Sequence, residues 1–215
     1  MFPNAPNLEI LPNGFNSSVL SDSPLILRLD NAMLDDEIEA FIKMASGKFS
    51  RSTIVVNGKL IHSTTRTSQT AFVTANGQKG TYSKPVERFI KRITFLLGCK
   101  RSQMEGLMVV KYEPGEEYSE HWDFFEADHK PQLASGGQRI ATFFFYLNDM
   151  IDSDSGGETK FPRIGLEVTP RKGSAAFWWN QIDGQRIRDT EHCGAKVKRG
   201  VKYGLNVWVR EKGWD

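Results

Sequence analysis

The tripeptide His121-Trp122-Asp123 carries two side chains that can bind a metal ion. On an extended strand, residues two apart point to the same face, so the imidazole of His121 and the carboxylate of Asp123 would lie side by side. Of the four histidines in the chain, His192 is the downstream one in a similarly ordered, strand-flanked context. The sequence therefore predicts that His121, Asp123 and His192 hold one metal ion.

This set of ligand types restricts the chemistry. Two histidines and one carboxylate on one face of a metal leave the opposite positions open, which is the arrangement that suits non-haem Fe(II) oxygenases. The His-x-Asp tripeptide alone is a weak signal, because a surface histidine beside an aspartate is common. The prediction therefore depends on the elements that surround it.

A second group of polar side chains lies on the strand predicted at 201–209. Alternation with a period of two puts Lys202, Asn206 and Trp208 on one face. The other face is apolar and comprises Val201, Tyr203, Leu205, Val207 and Val209. A lysine, an amide and a tryptophan, with Gly204 leaving space between them, suit the inside of a ligand-holding barrel better than a packed core. The alternative is the solvent-facing side of an edge strand.

Two amphipathic helices are predicted before this region. Apolar residues recur at helical spacing over 34–45, and a second stripe over 83–97 begins at Ser83, which can cap the helix. Between them, the Asn57-Gly58 pair indicates a hairpin turn, and a strand is predicted over 65–73. A short strand at 24–29 precedes the first helix.

From residue 106 onward the pattern consists of strands divided by turns, at 107–112, 118–124, 139–147, 174–179 and 201–209. Short strands at regular spacing are typical of an all-β barrel or jelly roll. The run over 140–147 is apolar on both faces and predicts a central strand covered on both sides. The fold class is therefore mainly β with N-terminal helices (α+β): a jelly-roll core supported by two helices.

The length of 215 residues and the composition limit the number of domains and the classes of partner. We predict an extended arm over 1–24 and a single domain over 25–215. A net charge of +2 is too small to indicate nucleic acid or an anionic membrane as a bulk partner. No secretory signal or apolar run long enough to span a membrane occurs, and Cys99 and Cys193 form no disulfide framework. A cytoplasmic location is the expectation.

Five blocks in a fixed order carry a family resemblance. They are Tyr112-x-x-Gly115-x-x-Tyr118-x-x-His121-x-Asp123-x-Phe125, Gly136-Gly137-Gln138-Arg139, Gly156-Gly157-Glu158-Thr159-x-Phe161-Pro162, Pro170-x-x-Gly173-x-Ala175, and His192 with Lys202 ten residues later. With Arg66-Thr67-Ser68 upstream, the chain resembles the catalytic domain of prolyl 4-hydroxylases over about residues 26–210. These enzymes belong to the 2-oxoglutarate- and Fe(II)-dependent dioxygenase superfamily, and the resemblance implies its double-stranded β-helix core.

The resemblance implies roles for individual residues. His121, Asp123 and His192 would be the iron ligands, Lys202 would pair with the distal carboxylate of 2-oxoglutarate, and Tyr112 would hydrogen-bond the same cosubstrate. A lysine supplies a compact positive charge for such a carboxylate.

Three further positions match the family near the site. Arg139 and Trp208 would contact substrate at its mouth and wall, with a surface salt bridge and a core aromatic as the respective alternatives. Thr159 lies on a strand that should line the cosubstrate pocket. Cys193 adjoins a predicted ligand, but nothing near it indicates a catalytic thiol.

The implied reaction is hydroxylation of peptidyl proline to 4-hydroxyproline, with oxidative decarboxylation of 2-oxoglutarate to succinate and CO2. Fe(II), 2-oxoglutarate and O2 are the implied cofactors and cosubstrates, with ascorbate as reductant. The expected partner is a proline-containing peptide or protein, with no nucleic acid and no membrane, and the chain would be a monomer or homodimer. The hairpin at Asn57-Gly58 and the loop over 149–157 are predicted as lids over such a peptide.

Two alternatives stay open. The same scaffold could oxidise a free amino acid or another small or nucleobase substrate, or the protein could be a cupin-like metal binder without turnover. Met108 and Tyr203 stand where the family often has a glutamine and a tryptophan, which bears on substrate identity and on no iron ligand. Lys202 and Tyr112 argue against the non-catalytic alternative, because simple metal binding needs no carboxylate anchor.

Overall fold

The computed structural model describes residues 14–56, 59–74 and 82–213. In chain order the elements are β1 (Asn16–Asp22), β2 (Leu25–Asp30), α1 (Asp35–Ala45), β3 (Ser50–Arg51), β4 (Ile54–Val56), β5 (Lys59–Ile61), β6 (Gln69–Phe72), α2 (Lys84–Leu97), β7 (Met108–Tyr112), β8 (Tyr118–His121), α3 (Lys130–Ala134), β9 (Arg139–Tyr146), β10 (Thr159–Phe161), β11 (Leu166–Val168), β12 (Ala175–Trp179), β13 (Gln181–Ile182), β14 (Gln185–Arg186), β15 (His192–Gly194) and β16 (Lys202–Arg210).

An eight-stranded sheet runs in the order β1-β2-β12-β9-β16-β7-β6-β3. Its central strand β9 lies between β12 and β16 and is antiparallel to both. All its residues after Arg139 are buried, which confirms the central strand predicted from the apolar run. A four-stranded sheet, in the order β11-β10-β15-β8, forms the second layer.

Two separate hydrophobic cores cover the two faces of the large sheet. On one face, Phe143 and Phe145 of β9 pack with helix residues such as Phe41 and Phe89. On the other face, Phe144 and Tyr146 pack with residues of the small sheet, including Phe161 and Val168. The alternation of side chains along one strand therefore assigns odd residues to the helices and even residues to the space between the sheets.

Both predicted helices are present. Helix α1 has three acidic residues in its first turn, and Glu37 accepts a hydrogen bond from the backbone N–H of Leu34. Helix α2 begins after Ser83 and ends at Gly98, whose φ of 62° closes the helix in the left-handed region. Ser83 occupies the predicted N-cap position, although its side chain makes no capping hydrogen bond. Both helices pack on the face of the sheet that lies away from the second layer.

Several shorter elements differ from the sequence prediction. Part of the predicted arm, Asn16–Asp22, is strand β1 and pairs with β2. Strands β4 and β5 pair as the predicted hairpin, although Asn57 and Gly58 themselves lie outside the described residues. The strand predicted over 65–73 is limited to β6. The division into arm and domain remains a prediction.

The loop over 149–157 is not the free lid that its composition predicts. The Ser155 carbonyl accepts hydrogen bonds from the backbone N–H groups of Lys198 and Arg199, and the Asp152 carboxylate pairs with the Arg199 guanidinium at 2.7 Å. Gly156 forms a β-bridge with Val197. These contacts fix the loop against the segment that leads into β16.

No helix in the described part of the chain has both the length and the apolar character needed to cross a membrane.

Candidate active site

Strand pairing in the small sheet brings the two predicted histidine ligands together. In the antiparallel pair of β8 and β15, His121 lies opposite His192, and the centroids of their rings are 4.2 Å apart. Asp123 follows β8 directly, with its carboxylate oxygens 3.9 Å from His121 Nε2 and 3.7 Å from His192 Nε2. One ligand atom from each residue lies within 4.8 Å of the others. The structure thus assembles the three predicted ligands into one cluster.

Backbone carbonyls set the tautomer of both imidazoles. Nδ1 of His121 is 2.8 Å from the carbonyl oxygen of Ser119, and Nδ1 of His192 is 3.0 Å from that of Thr190. Because a carbonyl oxygen only accepts, each Nδ1 must carry the proton and each Nε2 must present a lone pair. Both lone pairs are on the atoms nearest Asp123, as metal ligation requires.

The carboxylate of Asp123 is buried and oriented by a hydroxyl. Thr142 Oγ1 donates to Asp123 Oδ2 at 2.7 Å, and Asn180 Nδ2 donates to Thr142 Oγ1 at 2.9 Å. Burial acts to raise the pKa of Asp123, but His192 leads the nearby groups that hold it below its usual range. Asp123 therefore remains an anion at neutral pH.

Aromatic rings enclose the two imidazoles. Tyr118 stacks on His121 with ring centroids 3.6 Å apart. The guanidinium of Arg66 lies over the ring of Tyr118, 4.7 Å from its centroid. Trp178 meets His192 edge-on at 4.6 Å. Burial, followed by the proximity of His192, lowers the pKa of His121 from 6.5 to about 3. The imidazole is therefore neutral and available for ligation over the physiological range.

The cluster opens into a cavity between the two sheets. Its lining comprises Tyr112, Tyr118, His121, Phe144, Thr159, Trp178, His192, Cys193, Gly194, Lys202, Asn206 and Trp208. Six predicted site residues, all except Asp123 and Arg139, thus line one cavity together with Asn206, and the predicted inward face of β16 is confirmed. Cys193 is half-buried at the wall, and its pKa is raised by burial, so it is held as a thiol.

Lys202 is buried at one end of this cavity. Its side chain is surrounded by aromatic rings, with Nζ 5.3 Å, 4.9 Å and 5.6 Å from the ring centroids of Tyr112, Phe144 and Tyr146. No carboxylate of the described residues pairs with it. Burial lowers the pKa of Lys202 to about 7. A buried amine without a counter-ion is a site for an anionic ligand.

Tyr112 and Thr159 lie near this same end. Tyr112 pairs with Lys202 in the register of β7 and β16, and burial raises the pKa of its phenol. Thr159 begins β10 and accepts a hydrogen bond of 2.8 Å from the hydroxyl of Tyr146. Both residues therefore present hydroxyl groups within the lysine end of the cavity, as the sequence predicted.

Arg139 does not line the cavity. Its guanidinium lies 3.7 Å from the ring centroid of Trp208. It also forms a bidentate ion pair with the carboxylate of Glu105, with hydrogen bonds of 2.7 and 2.8 Å. Glu105 also pairs with Arg210, and the arginines hold its pKa low against the effect of burial. The salt bridge given as the alternative for Arg139 is therefore present, but it is mostly buried and not at the surface. Substrate contact by Arg139 stays a prediction.

The space predicted beside Gly204 is filled. A Cβ added at Gly204 would overlap Cζ of Phe144 and lie 3.0 Å from its Cε1 and Cε2. Because Gly204 has no side chain, the phenyl ring of Phe144 can lie directly against strand β16. The ring forms part of the cavity wall beside Lys202. Glycine is required here by a side chain of the neighbouring strand.

Sequence reasoning missed several residues that shape the site. Tyr118 belongs to the first family motif, but no role is predicted for it there. Thr142 is a small polar residue inside an otherwise apolar run, which is a signal that could have identified it. Trp178 and Glu105 gave no such signal, because only the tertiary structure places them beside His192 and Arg139.

Comparison with known proteins agrees with this geometry. The family model of the 2OG-Fe(II) oxygenase superfamily matches residues 107–210, the part of the chain that contains the cluster and Lys202. Prolyl 4-hydroxylase subunit alpha-1 of Gallus gallus is 35% identical over 199 residues, which are 90% of this chain and 37% of that subunit. The chain belongs to the 2OG-Fe(II) oxygenase superfamily. It spans little more than a third of the length of the curated relatives it matches.

Solved structures of the superfamily share the fold. The viral collagen prolyl hydroxylase of Paramecium Bursaria Chlorella virus-1, determined as a 2OG complex, has a TM-score of 0.66 and 24% identity, covering 89% of this chain and 98% of that chain. A prolyl hydroxylase from Trichoplax adhaerens, in complex with a hypoxia inducible factor peptide fragment, has a TM-score of 0.60 and 18% identity, covering 88% and 85%. The jelly-roll fold predicted from sequence is confirmed.

Proposed function

We propose that this protein is an Fe(II)- and 2-oxoglutarate-dependent dioxygenase that hydroxylates peptidyl proline to 4-hydroxyproline. The observation that carries the proposal is one cavity with the His121, Asp123 and His192 cluster at one place and an unpaired buried lysine, Lys202, at another. A metal binder without turnover has no use for the lysine. The prolyl 4-hydroxylase relatives support this choice of reaction.

The ligand cluster fits Fe(II). Two neutral imidazole nitrogens and one carboxylate oxygen converge, and both imidazoles are held by carbonyl acceptors on their far nitrogens. His121, Asp123 and His192 would hold the ion. When bound, Fe(II) with O2 supplies the oxidising chemistry, in which one oxygen atom enters the substrate and the other enters succinate as 2-oxoglutarate loses CO2.

The lysine end fits a dicarboxylate. Lys202 would pair with the distal carboxylate of 2-oxoglutarate, and the hydroxyl groups of Tyr112 and Thr159 would add hydrogen bonds to it. The rings around Lys202 exclude water, which strengthens the ion pair once it forms. Orientation of the cosubstrate toward the metal cluster then follows from fixing its far end.

A proline-rich peptide is the proposed substrate. Such segments are already extended and lose little entropy on entering a groove. Trp208 in the cavity wall is the proposed contact surface, and Arg139, stacked against its ring, would contribute to substrate contact at the mouth. The hypoxia inducible factor peptide bound by the Trichoplax adhaerens relative of this fold supports a peptide rather than a free amino acid.

Three secondary features belong to the same proposal. Ascorbate would serve as the reductant that maintains Fe(II), as the family resemblance implies. The chain would act as a monomer or homodimer. Cys99 and Cys193 are free, which supports a reducing, cytoplasmic location.

The test measures succinate release with four candidate substrates: poly-proline, proline-containing repeat peptides, free proline and single-stranded nucleic acid. Release that is stimulated by the peptides, together with one added oxygen atom on proline by mass spectrometry, is the expected result. The Asp123→Asn variant gives the background, because it keeps the size of the side chain and removes its charge. Stimulation by free proline or nucleic acid alone would refute the peptide substrate. It would remain consistent with an oxygenase of the same fold that acts on another substrate.

A further inference from the structure

A buried carboxamide in the cavity wall has no protein partner. Asn206 is only 9% exposed and lines the cavity with His121 and His192. No residue in the described part of the chain donates a hydrogen bond to its side chain or accepts one from it. An amide that faces a cavity and has no protein partner keeps its donors and acceptor available for a ligand in that cavity.

Other amides of the protein show what a structural role looks like. The side chain of Gln138, equally buried, accepts from the backbone N–H of Phe125 and donates to its carbonyl at 2.8 Å. The side chain of Asn148 donates to the carbonyl of Val201 and accepts from the N–H of Tyr203. Each of these amides ties two chain segments together. Asn206 ties none, which separates it from this structural class.

The strand register places Asn206 between the two chemical ends of the cavity. On β16, Trp208 lies opposite Thr142, whose hydroxyl donates to the metal-ligand candidate Asp123. Lys202 lies at the other end of the strand, and Asn206 projects from the same face between them. The carboxamide therefore lies in the same cavity wall, between Lys202 and the position on β16 that faces Thr142.

We propose that Asn206 binds the cosubstrate, with its carboxamide N–H donating to an oxygen of the 2-oxo acid group. The inference rests on the proposed function, because it takes Lys202 as the anchor of the distal carboxylate. The keto and carboxylate oxygens of the 2-oxo acid are acceptors without a hydrogen of their own, so a neutral amide donor complements them. The methylene carbons of the cosubstrate offer the amide nothing.

The test compares Asn206→Leu with the wild-type protein, both loaded with Fe(II) under anaerobic conditions. Calorimetric titration with 2-oxoglutarate should show an affinity loss of about tenfold or more, because an amide hydrogen bond to a charged acceptor disappears. The visible charge-transfer absorption of the Fe(II)–2-oxo acid complex should shift, because it reports hydrogen bonding at the keto and carboxylate oxygens. Asn206→Asp, which places a carboxylate beside another, should lose more.

Thermal unfolding without metal or cosubstrate separates binding from structure. Asn206→Leu should unfold at the same temperature as the wild-type protein or higher, since an apolar group replaces an unpaired polar one of similar shape. The matched control Gln138→Leu should unfold at a lower temperature, because it leaves the backbone groups of Phe125 unpaired.

The outcomes distinguish this inference from the proposed function. If wild-type protein binds 2-oxoglutarate and Asn206→Leu binds it equally well with the same absorption, this inference alone is overturned. A fall in unfolding temperature like that of Gln138→Leu would also overturn it, in favour of a structural role. If the wild-type protein binds no 2-oxoglutarate in the presence of Fe(II), both this inference and the proposed function are overturned.

Discussion

The hydroxyl of Tyr146 donates a hydrogen bond of 2.8 Å to Oγ1 of Thr159, and this bond joins the central strand of the large sheet to the small sheet. Both residues are buried. Because the oxygen of Thr159 accepts from Tyr146, the hydrogen of the Thr159 hydroxyl is free to point toward another acceptor. Tyr146 is therefore placed to orient a hydroxyl that faces the lysine end of the cavity.

Changing Tyr146 to Phe should remove this orientation while keeping the ring. We expect the free energy of unfolding to fall by about 1 kcal/mol and the affinity for 2-oxoglutarate to fall by roughly fivefold, as for the loss of one neutral hydrogen bond. Denaturant unfolding and calorimetry measure the two effects. Tyr203→Phe, which removes a hydroxyl on the opposite face of β16, should leave the affinity unchanged. Equal affinity in both variants would exclude the orienting role.

The lowered pKa of Lys202, about 7, predicts two opposite dependences on pH. Between pH 7 and the ordinary lysine value near 10.5, the folded protein holds fewer protons than the unfolded chain, so the stability of the ligand-free protein should rise with pH. A bound dicarboxylate favours the charged amine. Affinity for 2-oxoglutarate should therefore fall as pH increases above about 7, by up to roughly tenfold per pH unit.

Lys202→Met removes the titrating group and tests both dependences. The variant should bind 2-oxoglutarate at least roughly 30-fold more weakly, with the contribution of Lys202 to the two pH slopes lost. Calorimetry in buffers of different ionisation enthalpy should show proton uptake on binding above pH 7 in the wild-type protein only. Equal proton uptake in both proteins would show that Lys202 is not the anchor.

Metal binding should depend on all three members of the cluster. Fe(II), or Mn²⁺ as an air-stable substitute, should raise the unfolding temperature of the wild-type protein. The same rise in unfolding temperature should require about 100-fold more metal, or greater, in each of the variants His121→Ala, Asp123→Asn and His192→Ala. Because Asp123→Asn can still accept from Thr142, its loss of binding would reflect charge. An unaltered metal response in any of the three would remove that residue from the ligand set.

Burial of His121 predicts how acid affects the metal-free protein. Its pKa is about 3 in the folded state and 6.5 ordinarily, so its contribution to stability is complete above pH 6.5 and is lost as pH falls toward 3. The sequence alone predicts that metal affinity falls below about pH 6, where a free imidazole is protonated. With its lowered pKa, His121 should compete for protons only at a lower pH. Metal titrations from about pH 7 to pH 5 measure this difference.

Gly204→Ala should disturb the cavity wall by steric overlap. A Cβ at this position meets the ring of Phe144, which cannot retreat without disturbing the packing beside Lys202. We expect a loss of about 1–3 kcal/mol in the free energy of unfolding, as for other overpacked sites. Gly106→Ala is the control, since its Cβ would make only ordinary contact with Phe72 at 3.8 Å. Equal stability of the two variants would contradict the predicted overlap.

The two helices and the two faces of β16 were predictable because each has a strong local period. Helix α2 has a continuous apolar stripe, and side chains on β16 alternate with a period of two. Each of these patterns is local, so it predicts its element whatever other elements pack against it. The same local logic gave the shared direction of His121 and Asp123. These elements make up most of the framework around the cavity.

Elements that depend on partners far along the chain were missed. Strands β11 and β15 have three residues each, too few to show a period, and their pairing is decided by neighbours in the small sheet. The ion pair between Glu105 and Arg139 joins residues 34 apart in sequence. The position of Phe144 over Gly204 likewise depends on strand register. Such contacts follow from tertiary structure and leave no short-range pattern.

Of the strands around the cavity, β16 comes latest in the chain, yet it lies in the interior of the large sheet between β9 and β7. During synthesis from the N-terminus, β9 and β7 must leave the ribosome with a gap between them until β16 arrives. Lys202, Asn206 and Trp208 enter the cavity with that strand, so His121, Asp123 and His192 are synthesised before this wall of the cavity exists. Closure of the large sheet and completion of the cavity should therefore coincide, once β16 has been synthesised.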